Sequence, residues 1–133
     1  MDFISDTWAK ARKLNKTIIL PETEDIRILK ATETIEKSRL ANVILIGNKD
    51  LISKTAQENG VDLLDAVIED PQTSGKLGQF ANEYFDLRQA KGMTLDEAKR
   101  IMEADTVYYG AMMVRAGQAD GMVTGANHPT AHT

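Results

Sequence analysis

The sequence has no cysteine among its 133 residues. A thiol nucleophile, a disulfide framework and a cysteine-based metal site are therefore excluded for this chain. Aromatic residues are also scarce, since Phe, Tyr and Trp together make up 5% of the sequence. A hydrophobic core must consequently be built mainly from Ile, Leu, Val, Met and Ala side chains.

Blocks of Lys and Arg are absent, and the formal net charge is −4 with a pI of about 5.2. Binding to nucleic acid through phosphate neutralisation is therefore a poor expectation. No apolar run reaches the length of a membrane span, and the first residues lack the basic and apolar blocks of a signal peptide. We predict a cytoplasmic protein with neither a membrane nor a nucleic-acid partner.

Short apolar runs are the clearest structural signal. The hydrophobic content of 42% and the charged content of 27% are ordinary for one soluble globular domain. The runs 17–20 and 42–46 are apolar on nearly every residue, which is typical of strands covered on both faces of a parallel sheet. Weaker strand candidates are 66–68 and the glycine-bounded segment 121–125.

Helical periodicity fills the intervals around these strands, with apolar residues recurring every three or four positions. Thr94 and Glu97 form a capping box, in which each side chain can satisfy a free N–H at a helix start. Strands that alternate with helices predict an α/β fold, a three-layer sandwich with a mainly parallel sheet. The predicted helices are 2–14, 24–39, 49–59, 75–91, the helix that begins at the capping box and continues through Met102, and 106–116.

The polar stretch 124–130 after the last predicted strand is the most informative segment. Its Thr, Asn and His side chains supply hydroxyl, amide and imidazole groups, and Gly125 lets backbone N–H groups approach a ligand closely. Parallel sheets bind ligands beyond the carboxyl ends of their strands, and a helix beginning there favours an anion. The alternative interpretation is a polar turn at the end of the chain.

His128 and His132 are four residues apart, as metal-binding histidines on a helix can be. No Glu follows His128 and no third ligand is evident nearby. Pro129 also lacks the backbone donor that a helix interior needs. We therefore predict no metal site.

Two charged segments each admit two interpretations. In the acidic segment 21–27, the favoured one is helix initiation, with Thr23 as the cap and the acidic residues complementing the positive helix end. Its position at a strand end leaves room for ligand contact. Arg88 is either a solvated arginine beside its helical neighbours or an anion clamp, because a guanidinium binds phosphate in a fork geometry. The Met-rich segment 108–114 is expected to be core.

Five stretches follow one another along the chain: 13–27 (KLNKTIILPETEDIR), 43–48 (VILIGN), 87–88 with 91–94 (LR and KGMT), 108–114 (YYGAMMV), and 117–126 with His128 and Thr130. In this order and spacing they resemble the phosphate acetyltransferase family, which includes the phosphate butyryltransferases. The resemblance covers essentially the whole chain. Several ordered matches are far more specific than any one of them.

The resemblance implies an isocitrate dehydrogenase-like fold of two α/β domains around a cleft, usually in a homodimer. It implies the reversible transfer of an acetyl group between coenzyme A and phosphate, by direct attack of the CoA thiolate on the acetyl carbonyl. No metal or organic prosthetic group is expected, since coenzyme A is a substrate. The expected partners are coenzyme A or acetyl-CoA, phosphate or acetyl phosphate, and a second copy of the chain.

The resemblance also implies a set of substrate-binding residues. Arg88 matches an arginine associated with substrate binding, and the loop after the last strand matches the pattern Ser-Gly-Ala-x-His-Ser-Thr-Ala-x-Thr-Leu-Arg-Pro. Thr124 keeps the hydroxyl of the usual Ser, whereas Pro129 removes a hydroxyl and a backbone donor. The expected substrate-binding residues are Arg88, Thr124, Gly125, Asn127, His128 and Thr130.

Family enzymes run much further than this chain. We therefore expect residues 1–133 to be the N-terminal portion of the transferase domain, truncated at its C-terminal end, so that the fold is incomplete. The family's Leu-Arg-Pro arginine would follow directly after Thr133, and the serine, arginine and aspartate proposed for the chemistry lie near the far C-terminus. We assign no catalytic residue within this chain and expect it to lack transferase activity by itself.

Other functions stay open at this point. Acyl-chain preference is undecided, so a phosphate butyryltransferase is one alternative. A non-catalytic domain that binds CoA or another anion, as in malic enzyme fusions, is a second. A third is a purely structural half that assembles with further chain or with itself.

Overall fold

The computed structural model describes residues 3–125, with side chains from Thr7 onward. Four parallel strands form one sheet in the order β3-β2-β1-β4. The strands are β1 (Thr17–Leu20), β2 (Asn42–Ile46), β3 (Val67–Glu69) and β4 (Gly121–Met122). The helices are α1 (Phe3–Leu14), α2 (Ile26–Lys37), α3 (Lys49–Glu58), α4 (Leu77–Arg88), α5 (Leu95–Ala104) and α6 (Thr106–Arg115), with a 3-10 turn at Gln89–Lys91.

The predicted α/β sandwich is confirmed, because apolar side chains cover both faces of the sheet. In β1, Ile18 and Leu20 pack in a cluster with α2 and α3, whereas Ile19 packs in a cluster with α4, α5 and α6. Successive strand side chains point to opposite faces. A strand that is apolar at every position can therefore supply both cores, as the runs 17–20 and 42–46 predict.

The last strand is shorter than predicted. β4 covers Gly121–Met122 rather than 121–125, and among the described residues it pairs with β1 alone. Its register joins Ile18 to Gly121 and Ile19 to Met122, and the N–H of Val123 donates to the carbonyl of Ile19 at 3.0 Å. β1 ends at Leu20, so the chain beyond Val123 leaves the ladder and forms a loop.

Helix α6 lies directly on the sheet, and Gly110 makes this close approach possible. A Cβ built at Gly110 would lie 2.7 Å from Met122 Sδ and 3.1 Å from Ile46 Cδ1. Both distances are shorter than ordinary van der Waals contact, so a side chain here would force the neighbouring side chains of Met122 and Ile46 to shift. The glycine in the middle of the predicted core helix therefore serves packing against the sheet.

Helix α1 is less enclosed than the other helices. Trp8 is 37% exposed and Leu14 is 63% exposed, although both lie on the apolar stripe predicted from the sequence. The helix is tied to the body by Arg12, whose Nε donates to the carbonyl of Ser38 at 2.8 Å. Trp8 and Leu14 are thus both exposed within the part of α1 whose side chains are described.

Candidate functional site

The strand order places a switch point between β1 and β4. The chain moves outward from β1 to β2 and β3, and then returns to place β4 on the other side of β1. In open parallel sheets, ligands bind beyond the carboxyl ends of the two strands at which this order reverses. The loops after Leu20 and after Met122 therefore border the expected crevice.

Glu22 joins these two loops. Its side chain is almost completely buried, at 1% exposure, and its Oε1 accepts a hydrogen bond from the N–H of Gly125 at 2.7 Å. The backbone donor of Gly125 is thus already engaged by a carboxylate. This N–H therefore forms a contact between the two loops, and substrate binding by the loop residues stays a prediction.

The adjoining residues anchor the same loop in two further directions. Thr23 Oγ1 donates to the carbonyl of Ile46 at 2.8 Å, which connects the loop to the end of β2. Thr106 Oγ1 donates to the carbonyl of Pro21 at 2.7 Å, which connects the loop to the start of α6. Side chains on either side of the switch point therefore fix the path of the chain after β1.

The prediction that Thr23 caps the following helix is wrong. The N-cap is Asp25, whose Oδ1 accepts from the N–H of Arg27 at 2.9 Å. The Arg27 guanidinium also bonds this carboxylate, with Nη2 2.6 Å from Oδ2, and these hydrogen bonds hold the pKa of Asp25 below its ordinary value. Because Asp25 does the capping, Glu22 and Thr23 are left for contacts with neighbouring strands.

The predicted loop residues fall into two groups. Thr124 and Gly125 follow β4 at the switch point, and Gly125 takes a φ of +113°, which side chains rarely adopt. Asn127, His128 and Thr130 lie outside the described residues. The structure therefore places only the first two residues of the predicted loop, beside Glu22.

Arg88 lies in a separate cavity on the α4–α6 side of the sheet. It ends α4, and its guanidinium carbon sits 5.8 Å from the centroid of the Tyr84 ring, a cation–π arrangement. The cavity has a volume of about 280 Å³, and its lining includes Lys91, Glu97 and Tyr108. Two cations and one carboxylate thus face the same small space.

The first turn of α6 connects this cavity to the switch point. Thr106 bonds the carbonyl of Pro21, and Tyr108, two residues later, lines the Arg88 cavity. Neither Thr124 nor Gly125 lines it. The structure therefore assigns the described candidates to two neighbouring places joined by one helix end.

A buried polar network at the carboxyl end of β3 was not predicted from the sequence. Tyr109 is fully buried, and its hydroxyl donates to Glu69 Oε2 at 2.9 Å and lies 2.7 Å from Ser74 Oγ. Lys76 Nζ lies 3.3 Å from the same carboxylate. Burial, with a smaller contribution from Glu69, raises the pKa of Tyr109 to about 12. The neutral phenol consequently joins α6 to β3 at neutral pH.

Within residues 3–125, no three His, Cys, Asp or Glu side chains are grouped so as to hold a metal ion. No helix in this part of the chain is long and apolar enough to cross a membrane. His128 and His132, the pair considered for a metal, lie outside the described residues.

Comparison with known proteins gives consistent results. Residues 2–133 match the family described as phosphate acetyl/butaryl transferase. The chain is 44% identical over its whole length to a phosphate acetyltransferase of Acetivibrio thermocellus, of which it covers 39%. It is 41% identical over 98% of its length to a phosphate acetyltransferase of Thermoanaerobacterium thermosaccharolyticum, of which it also covers 39%. The chain therefore spans about two fifths of the length of these relatives.

Solved structures agree with the sequence relatives. A phosphotransacetylase from Streptococcus pyogenes superposes with a TM-score of 0.83 at 28% identity, covering 98% of this chain and 40% of that one. The EutD phosphotransacetylase from Staphylococcus aureus superposes with a TM-score of 0.84 at 28% identity and the same coverage. The layered arrangement around the parallel sheet is thus the arrangement found in these proteins.

Proposed function

The chain belongs to the phosphate acetyl/butyryl transferase family, and on that premise we propose that it forms part of a phosphate acetyltransferase. The reaction moves an acetyl group reversibly between coenzyme A and phosphate. Toward acetyl-CoA, the thiolate of CoA attacks the acetyl carbonyl, the C–S bond forms, the bond to the phosphate oxygen breaks and phosphate leaves. Residues 1–133 are proposed to form the N-terminal portion of the transferase domain.

The Arg88 cavity is the observation that supports this function most directly. A guanidinium presents paired N–H donors that match two phosphate oxygens, and its position over the Tyr84 ring limits its freedom before a ligand arrives. Lys91 adds a second positive charge, against the single carboxylate of Glu97. A volume of about 280 Å³ is small for a whole drug-sized ligand. The cavity therefore suits one phosphate-bearing part of CoA or of acetyl phosphate.

The switch-point loops have a different proposed role. Glu22 holds the backbone of Gly125, so that carboxylate positions the loop and does not itself contact phosphate. Thr124 and Gly125 are proposed to border the acyl-transfer site, together with Asn127, His128 and Thr130. No residue of this chain is assigned to the chemistry, because the serine, arginine and aspartate implied by the family resemblance match no position in it.

A binding experiment tests the role of Arg88. The protein is titrated with CoA, acetyl phosphate and inorganic phosphate, and the Arg88→Gln variant is expected to weaken binding at least roughly tenfold, as lost charged hydrogen bonds do. Arg88→Lys keeps the positive charge but loses the paired N–H donors of the guanidinium, so its affinity should lie between those of the unmodified protein and Arg88→Gln. Arg115→Gln removes an arginine from the end of α6, outside the cavity, and should bind normally. Unchanged affinity in Arg88→Gln would rule out this site.

An exchange experiment tests the activity. These 133 residues replace the corresponding segment of the A. thermocellus phosphate acetyltransferase, and acyl-CoA formation is followed with acetyl phosphate and with butyryl phosphate. Preference for acetyl phosphate is expected. Preference for butyryl phosphate would favour a butyryltransferase, and CoA binding without turnover would favour a regulatory domain. The chain by itself is proposed to be inactive, which the same assay checks.

The remaining expectations are also proposals. The enzyme is proposed to act in the cytoplasm as a homodimer, without a metal or organic cofactor. Light scattering measures the mass of the assembly. Treatment with a metal chelator should leave turnover unchanged, and a loss that is restored by a divalent cation would contradict the proposal.

A further inference from the structure

A second, larger cavity lies at the opposite edge of the sheet. It has a volume of about 510 Å³ and is lined by residues at the amino ends of β1, β2 and β3, among them Asn15, Asn42 and Leu64. The Asn42 Nδ2 donates to Asn15 Oδ1 at 3.1 Å, so two amide side chains are joined at its wall. Neither the switch point nor the Arg88 cavity includes any of these residues.

The backbone around this cavity is unusual. Within residues 3–125, the non-glycine residues with positive φ are Asn15 at 48°, Arg39 at 56° and Leu64 at 49°, and all of them line the cavity. The left-handed region brings Cβ close to the backbone carbonyl, so it is costly for Arg and Leu and tolerated mainly by Gly and Asn. Such residues concentrate at binding sites.

The end of a helix explains the conformation of Arg39 but not the residue type found there. After α2, the N–H of Arg39 donates to Glu36 at 3.2 Å, and the N–H of Leu40 donates to Ile35 at 3.0 Å. Such a left-handed helix end normally uses glycine. The chain does so after α3, with Gly60 at a φ of 66°, and after α6, with Gly117 at 78°. At the cavity, in contrast, the left-handed positions carry Asn15, Arg39 and Leu64, whose side chains are present on the cavity wall.

Some of the charged side chains that line the cavity have a hydrogen-bond or ion-pair partner, and others have none within the described residues. Lys37 pairs with Glu33 at 3.2 Å, and Glu36 Oε2 accepts from the N–H of Val43 at 2.9 Å. The side chains of Arg39 and Asp65 have no hydrogen-bond or ion-pair partner within the described residues, and they are not paired with each other. One free guanidinium and one free carboxylate consequently face the same polar cavity.

We propose that this cavity binds a free α-amino acid. The carboxylate of the ligand would pair with the Arg39 guanidinium, and its ammonium group would pair with the Asp65 carboxylate. A ligand that carries both charges gives each of these side chains an ion-pair partner. Leu64, which is 45% exposed, offers an apolar surface to the ligand's side chain. The site is independent of acyl transfer, and it can be occupied while CoA or phosphate binds near Arg88.

Direct titration tests the ligand class. The protein is titrated with each of the twenty common amino acids by calorimetry, and amide shifts are followed by NMR. At least one should bind with a dissociation constant below about 1 mM, with shifts at Asn15, Arg39, Asn42 and Leu64. Its amine and carboxylic acid analogues, which each lack one charge, should bind at least roughly tenfold weaker. If no amino acid binds, or the analogues bind equally well, the proposal fails.

A pair of variants separates binding from helix termination. Arg39→Gly should raise the melting temperature by about 2–6 °C, because glycine relieves the left-handed backbone, yet weaken amino-acid binding at least roughly tenfold. Asp65→Asn should weaken binding similarly. Lys54→Gln, which removes an exposed charge on α3 outside the cavity, should change neither. Normal binding in both Arg39→Gly and Asp65→Asn would overturn the proposal even if Arg39→Gly is more stable.

Discussion

The two faces of the sheet are built from different side chains. The face covered by α2 and α3 is aliphatic, with a core of Leu20, Leu29, Val43, Leu45, Ile52 and Ala56. The face covered by α4, α5 and α6 holds all three tyrosines, together with Phe80, Phe85 and five methionines. Aromatic rings bring polar tips and cation-binding faces as well as apolar area. Most of the few aromatics of this chain are therefore concentrated on the face where the Arg88 cavity forms.

Truncating one core residue on each face tests whether the two faces fold as one unit. Phe80→Ala should lower the free energy of unfolding by about 3–5 kcal/mol, and Leu29→Ala by about 2–5 kcal/mol. Phe80 costs more because its ring also makes an edge contact with Tyr109, with centroids 5.2 Å apart. Urea denaturation measures both changes. Amide exchange that speeds up on one face only would show that the faces unfold separately.

Two helical glycines sharpen the contrast within the aromatic face. Gly110→Ala should lower the free energy of unfolding by about 1–3 kcal/mol, because the new Cβ would meet Met122 Sδ at 2.7 Å and crowd Ile46 and Ile19. Gly78→Ala in α4 meets nothing within 4 Å and should stabilise the protein by about 0.5–1 kcal/mol. Thermal melts of both variants compare them. Equal effects would mean that the packing of α6 does not depend on Gly110.

The buried phenol gives the aromatic face a dependence on alkaline pH. Because the pKa of Tyr109 is raised from 10.0 to about 12, the folded protein keeps a proton that the unfolded chain releases. Stability from this group is complete below pH 10 and falls as the pH rises toward 12. The free energy of unfolding of Tyr109→Phe should be lower by about 1–2 kcal/mol at neutral pH, since Glu69 loses a donor. Between pH 10 and pH 12 it should decline less than that of the unmodified protein. An unaltered alkaline profile would contradict this.

The aliphatic face makes stability depend on acidic rather than alkaline pH, and the expected effect is smaller. The pKa of Glu33 is lowered first by the N–H of Asp62 and then by Lys37. The stabilisation is present above its ordinary pKa of 4.5 and is lost as the pH falls below it. Glu33→Gln should flatten this acid slope in chemical denaturation. Glu58→Gln on α3, whose side chain is 61% exposed, serves as the control and should leave the slope in place.

Much of the fold could be predicted from the sequence, because local patterns determine it. The runs 17–20 and 42–46 are strands with the predicted bounds, and Thr94 caps α5 by accepting from the N–H of Glu97 at 3.1 Å. The end of β4 could not be predicted, because it depends on where β1 stops. Residues 123–125 have the composition of a strand but only a short partner to pair with.

The candidate site was less predictable. Arg88 could be proposed from a motif, but its place over Tyr84 and beside Lys91 depends on how α4 meets α6. Glu22 and Thr23 resemble ordinary residues of a helix start, and a carboxylate that follows directly on a buried strand was the signal that could have marked Glu22. Their contacts with Gly125 and Ile46 join residues 103 and 23 positions apart, and no local pattern carries that information.

The sequence by itself determined which segments become strands and helices, that the sheet is covered on both faces, and which family the chain resembles. These follow from periodicity, turn residues and ordered motifs, all of which act over short distances along the chain. Only the tertiary structure decided that β4 returns beside β1, that Glu22 bonds the N–H of Gly125, and that Asn15, Arg39 and Leu64 line one cavity. The physical reason is that a parallel sheet gathers the ends of distant segments at its two edges.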